Sequence, residues 1–218
     1  MPLVRGRYPL TNSLYSILGQ QANSAQGDMP VRSNLEYTGI NGLVDTAASL
    51  VTQVMTVVPV PVDPGMVVTK VSVLTGVTAA GTPTNSWAAL YAGTNVAAPA
   101  LIAQTADGGA AAIAASARFD FTFTTGANAP QQITPAQAPF GYIFVGIMSK
   151  ATTVPSLITQ ATGAAAGQYA WFTNTPGASF AAVPGTLAFS AGSSLVATAP
   201  STLVSVAAKT VAPVVFVW

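Results

Sequence analysis

The sequence predicts an all-β protein: an antiparallel β-sandwich, jelly-roll-like, preceded by an extended N-terminal arm. Three observations lead there. From Leu50 onward, short runs rich in Val, Thr, Phe and Tyr are bounded by Gly, Pro, Asn and Asp, the pattern of strands joined by turns. Several of these runs alternate apolar and polar residues, which buries one face of a strand and wets the other. The composition also breaks near residue 48: before it lie Asn12, Asn23, Asn34, Asn41 and three of the six acids, with no sustained apolar period. Residues 1–48 are therefore assigned to an assembly-anchoring arm and residues 49–218 to the sandwich. A domain of this length buries roughly 70% of its unfolded surface and needs neither disulfide nor metal to stay folded.

In the arm, Asn12 can cap a short helix reaching Gln20, with Leu14, Ile17 and Leu18 on one face. The alternative is a segment that is disordered alone and orders on assembly. Its candidate anchoring residues are Arg5, Arg7, Tyr8, Leu14 and Ile17, joined by Trp218 from the other end of the chain. No long apolar core or Ala-x-Ala pattern follows the two arginines, which argues against a secretory leader.

Along the sandwich, Asp63-Pro64-Gly65-Met66 places Pro second and Gly third in a type II turn, where φ is respectively preset and positive. Val67 to Val73 then alternates, with Val67, Thr69, Val71 and Val73 on one face and Lys70 and Ser72 on the other. Arg118 to Thr124 carries Phe119, Phe121 and Phe123 on one face, whereas a helix would scatter the three rings. Trp87 to Tyr91 and Gly141 to Met148 are apolar on both sides and read as central strands. Further strands are predicted at Tyr169 to Thr173, Leu187 to Ser190, Leu203 to Val206 and Val214 to Trp218. Ala110 to Ala117 reads either as a short helix or as a loop. Eight or more short strands at this spacing predict a sandwich or jelly roll. The strand ending in Trp218 is the most apolar of all; it is either tucked into its own sheet or buried against a neighbour.

The chain contains no histidine and no cysteine, and only 6% of its residues are charged. That removes Ser-His catalysis, His-ligated zinc and thiolate sites. Carboxylate chemistry would fall to Asp63, Asp107 and Asp120, but Asp63 serves the turn and Asp120 stands beside Arg118. Asp107-Gly108-Gly109 could give one oxygen ligand to calcium, which takes 6–8, yet no second acid lies nearby; its turn role is the simpler reading. No catalytic residue, metal or cofactor is assigned. Tyr169, Trp171 and Phe172, beside a Gly-rich segment, form a candidate aromatic platform for a glycan, while Trp87 and Tyr91 go to the core. A net charge of +1 excludes electrostatic attraction to nucleic acid, and the apolar stretches are far shorter than the ~20 residues of a membrane-spanning helix. So sparsely charged a surface predicts burial against copies of itself or other subunits.

The run Thr69-Lys70-Val71-Ser72-Val73-Leu74-Thr75-Gly76, then Asn85-Ser86-Trp87-Ala88-Ala89-Leu90-Tyr91-Ala92-Gly93, then Leu101-Ile102-Ala103-Gln104-Thr105-Ala106-Asp107 forms a recognisable series. Ile133-Thr134-Pro135 and Gly141 to Met148, followed by Ala151-Thr152-Thr153-Val154-Pro155-Ser156-Leu157, extend it. Over about residues 60–160 the chain resembles the β-sandwich virion proteins of tailed bacteriophages, especially phages of actinobacteria. The resemblance implies a non-enzymatic structural protein on the particle exterior, made in the host cytoplasm: a head-decoration or cement protein, with minor tail protein close behind. Its partners would be major capsid or tail proteins and further copies of itself. The alternative is a tail adhesion module that recognises a host cell-surface glycan.

Overall fold

The alternating runs close into two stacked antiparallel sheets, with a third, smaller sheet beside them. In the computed structural model the described residues are 31–34, 43–46, 50–94, 98–161, 188–204, 206–209 and 211–218. Their strands, in chain order, are β1 Arg32–Ser33, β2 Leu43–Thr46, β3 Met55–Pro61, β4 Val67–Val68, β5 Lys70–Leu74, β6 Asn85–Ala92, β7 Leu101–Gln104, β8 Arg118–Thr122, β9 Gln131–Gln132, β10 Tyr142–Lys150, β11 Leu157–Ala161, β12 Phe189–Ala191, β13 Ala207–Ala208, β14 Val211–Pro213 and β15 Val215–Val217. A four-stranded sheet runs β1-β15-β5-β8 and a six-stranded sheet runs β13-β12-β3-β10-β6-β7. β14-β11-β2 make the smaller sheet, and β4 pairs with β9. Among the described residues the only helical element is a 3-10 turn at Gly126–Asn128. The segment 110–117 is a loop, entered through Gly109 at φ +55°.

The core between the two large sheets follows from the period of two. Val71, Val73, Phe121, Val215 and Val217 meet Val58, Val60, Ala88, Leu90, Ile143, Val145 and Ile147 across the gap. Phe123 lies in this core and Phe119 packs at its margin, with its ring 4.9 Å from that of Phe121 and edge-on to it. The apolar-on-both-sides runs are indeed the central strands, because their other face is also covered. Trp87, Ala89, Tyr91, Tyr142, Phe144 and Met148 form a second layer with Met55, Val57, Phe189 and Leu203. Residues 192–204 make that cover, crossing the back of the six-stranded sheet as a strap. The strap is tied by Trp87 Nε1 donating to the Val196 carbonyl (2.6 Å), Tyr91 OH to the Pro200 carbonyl (3.0 Å) and Gln104 Nε2 to the Ala197 carbonyl (2.7 Å).

Local chemistry explains several details. Gly65 has φ +93° and the Met66 N–H reaches the Asp63 carbonyl at 3.0 Å, the type II turn read from the sequence. Pro59 and Pro61 are tolerated in the central strand β3. The β3 residues that exchange hydrogen bonds with β10 are the even-numbered ones, as the Val62 N–H to the Gly141 carbonyl shows. The missing proline N–H groups therefore face the β12 side, beyond Val57 where β12 stops.

Four expectations need correction. The sandwich starts before the composition break: Arg32–Ser33 pairs with β15 and Leu43–Thr46 with β11, so two pieces of the expected arm are strands of the domain. The run Val67 to Val73 is not one strand. It breaks at Thr69, which puts Val68 inside and leaves Val67 46% exposed. Ser72, expected to be wet, is fully buried. Leu203 and Val204 lie in the strap and not in a strand: Leu203 is buried against the second layer, while Val204 stands 50% exposed. Tyr169 to Thr173 lies outside the described residues.

One arm residue fastens the end of the fold. Between β14 and β15 the chain passes from the small sheet to the four-stranded one, leaving the backbone at Pro213 to Val215 in need of partners. The Asn34 side chain supplies them: Nδ2 donates to the Pro213 carbonyl at 2.8 Å and Oδ1 accepts from the Val215 N–H at 3.0 Å.

Candidate functional site

The densest group of polar side chains in the described domain surrounds Trp218 on the outer face of the four-stranded sheet. Pairing of β5 with β8 sets Ser72 opposite Asp120, Lys70 opposite Thr122 and Leu74 opposite Arg118. Pairing of β15 with β5 brings Phe216 opposite Ser72 and delivers Trp218 beside Lys70. Trp218 Nε1 donates to Ser72 Oγ at 2.8 Å, and that hydroxyl donates to Asp120 Oδ1 at 2.6 Å. Arg118 Nε lies 3.0 Å from the same oxygen and Lys70 Nζ 3.5 Å from the other. The Lys70 ammonium also stands 4.4 Å from the centroid of the indole ring, and the Arg118 guanidinium 5.5 Å.

Chemically this is a closed relay in which each group orients the next. The indole N–H needs an acceptor once Trp218 is buried. Ser72 can accept only if its own proton goes elsewhere, and Asp120 takes it; two cations then balance the carboxylate. Of the two positions open to the terminal strand, the chain adopts the one in its own sheet, with the Trp218 N–H donating to the Lys70 carbonyl at 3.1 Å. In the sequence Lys70 and Ser72 share a face and Asp120 stands beside Arg118; only the strand register brings the two pairs together under Trp218.

The other described acids also have partners. Asp63 pairs with Arg32, and Asp45 Oδ2 accepts from the Val77 N–H at 2.7 Å. Asp107 accepts from Asn85 Nδ2, the Ser86 N–H and the Gly109 N–H, so its carboxylate pins a turn. Among the described residues no three His, Cys, Asp or Glu side chains converge as metal ligands. Burial pushes the Tyr142 hydroxyl up to about 12, raises Tyr91 further above the ordinary tyrosine value, and lowers the Lys209 ammonium.

The glycan-platform candidates Tyr169, Trp171 and Phe172 lie outside the described residues, as do the anchor candidates Arg5, Arg7, Tyr8, Leu14 and Ile17. The described surface does present several large apolar side chains. Val77 is 78% exposed and Phe140 55%, with Val51, Val67, Val196 and Val204 also open. No helix of the described residues is long and apolar enough to cross a membrane.

No family model matches the chain. No curated protein matches it at a significant level.

Proposed function

We propose that this chain is a non-enzymatic structural protein of a bacteriophage virion, displayed on the particle exterior as a head-decoration or cement protein, with minor tail protein as the nearer variant of the same role. The observation that carries the reading is how the charges are used. In a chain with 6% charged residues, each described acid is engaged within the chain, Asp63 by Arg32, Asp45 by the Val77 N–H, Asp107 by the Ser86 N–H and Asp120 by Ser72, while several valines and Phe140 stand open to the outside. A protein free in solution gains solubility from the opposite arrangement. An exterior with few charges and several open apolar side chains suits a subunit whose surface meets symmetry-related copies and other subunits by shape. The run of strands and turns over about residues 60–160 that resembles tailed-phage virion proteins supports the same reading.

The test is immunogold labelling of intact virions with antibodies against residues 60–218. Regular label over the head is expected; label confined to the tail would select the minor tail variant. A chain that is abundant in infected cells and missing from purified particles would overturn the proposal.

A further inference from the structure

We infer that the free edge of β8 is an interface for a second copy of this chain, added antiparallel with Phe119 on the two-fold axis. The inference deepens the self-association contained in the proposed function, and its test separates the two.

An open strand edge is a template for another strand, and folds usually cover or shorten it. The two large sheets do so at their other edges. β1 and β13, the outer strands on one side, have two residues each. β7, the outer strand of the six-stranded sheet on the other side, is met by the strap, with the Leu101 N–H donating to the Ser201 carbonyl at 2.8 Å. β8 has five residues, and among the described residues only β5 pairs with it. The hydrogen bonds flanking that pairing, from the Phe123 N–H to the Thr69 carbonyl and from the Thr75 N–H to the Ala117 carbonyl, assign the inward-directed backbone groups to the odd-numbered residues of β8. The N–H and C=O groups of Arg118, Asp120 and Thr122 therefore point out from the sheet.

Charge selects the occupant and the register. Two of the five residues of β8 are charged, in a chain where 6% are. Only registers that match even-numbered with even-numbered residues satisfy the outward groups. Asp120 opposite Asp120 of the other copy, or Arg118 opposite Arg118, puts like charges face to face, which destabilises the pair. The register with Arg118 opposite Asp120 of the second copy makes the match twice, once in each direction, and forms about four main-chain hydrogen bonds. It also sets the two Phe119 side chains, each half-buried at the core margin, against each other as a non-hydrogen-bonded pair with Cα atoms about 4.5 Å apart.

The test uses the full chain in sedimentation velocity at physiological salt. A reversible dimer is expected. Arg118→Asp alone and Asp120→Arg alone should each weaken it about tenfold or more, and an equimolar mixture of the two should restore it, because the mixed pair is complementary at both positions. Asp120 also supports Ser72 and Lys70, so folding of D120R is checked by circular dichroism. A second variant leaves both charges in place. The chain has no cysteine, so Phe119→Cys should give a disulfide-linked dimer on mild oxidation while Ser193→Cys, on the exposed strap, does not. A dimer indifferent to the charge variants and not cross-linked through position 119 overturns the β8 interface and leaves self-association standing. A monomer at all concentrations overturns both, and neither result bears on whether virions carry the label.

Discussion

Replacing Asn34 by alanine tests the joint between β14 and β15. The side chain is 5% exposed and satisfies one buried donor and one buried acceptor of the backbone at the point where the chain changes sheets. Alanine removes both bonds. Pro213 and Val215 are themselves buried, so the Val215 N–H and the Pro213 carbonyl lose a partner that bulk water does not readily replace. A buried group left unsatisfied costs roughly 1–3 kcal/mol, and two of them roughly 2–5 kcal/mol once partial relaxation is allowed. For a domain of this size about 1 kcal/mol corresponds to roughly 2–4 °C, so the midpoint should fall by roughly 4–20 °C. The assay is urea denaturation with tryptophan fluorescence, which Trp218 reports directly, alongside a thermal scan. If the midpoint moves while the denaturant slope does not, native stability has changed. A loss below about 0.5 kcal/mol, the size of an ordinary surface substitution, would refute the reasoning and mean that the joint relaxes or that water enters it.

Trp218→Phe keeps a ring but removes the donor to Ser72 and weakens the stacking of Lys70, and should cost about 1–2 kcal/mol by urea denaturation. Gly93→Ala should be severe, since a Cβ there overlaps the Tyr142 carbonyl oxygen, which is backbone; Gly146→Ala overlaps the flexible Met55 thioether and should cost only roughly 1–3 kcal/mol, a ranking that thermal melts check. Alkaline titration followed by phenolate absorbance should show late ionisation of Tyr142. Its folded pKa of about 12 lies above the ordinary value of 10.0, so its contribution is complete below pH 10 and is lost as pH rises through 12. Deleting residues 1–30 should leave β1 and Asn34 in place and the melting transition cooperative, whereas deleting residues 1–45 removes both and should lower the midpoint at least as far as Asn34→Ala does.

The fold class was legible because its signals are local. Phe119, Phe121 and Phe123 declare their shared face within five residues, and the Pro64-Gly65 turn declares its geometry within four. The two-sided runs Trp87 to Tyr91 and Tyr142 to Met148 declared central strands, although not that a strap would cover one side. What escaped was set by partners far away in the chain. Arg32–Ser33 has no strand character of its own and becomes β1 only by lying against Val217 and Phe216. Asn34 looks like any polar residue of a loop until Pro213 and Val215 arrive 179 and 181 positions later. The Trp218 cluster was half visible, since the polar face of β5 and that of β8 could each be read; joining them required the register.

The pairing of charges within the chain also bears on how it can recognise anything. Arg32 reaches Asp63 across 31 positions, Asp107 clasps Asn85 and Ser86 across about 20, and Asp120 holds Ser72 across 48. Each ionised group that closes a joint is one that no longer draws a distant partner, so long-range electrostatic steering falls away and encounter depends on short-range fit. Recognition of that kind is slow unless copies are already concentrated or held in place, which is the situation of a subunit arriving on a symmetric lattice. β8 is the exception that tests the rule: Arg118 and Asp120 neutralise each other within the chain yet remain open to exchange partners with a neighbour at no change in net charge. Salt dependence discriminates here. If β8 mediates assembly through that exchange, raising ionic strength should weaken the wild-type dimer and relieve the repulsion in the Arg118→Asp protein, moving their dissociation constants toward each other. If both weaken or both strengthen in parallel, the charges on β8 only protect the edge, and association proceeds through the exposed valines instead.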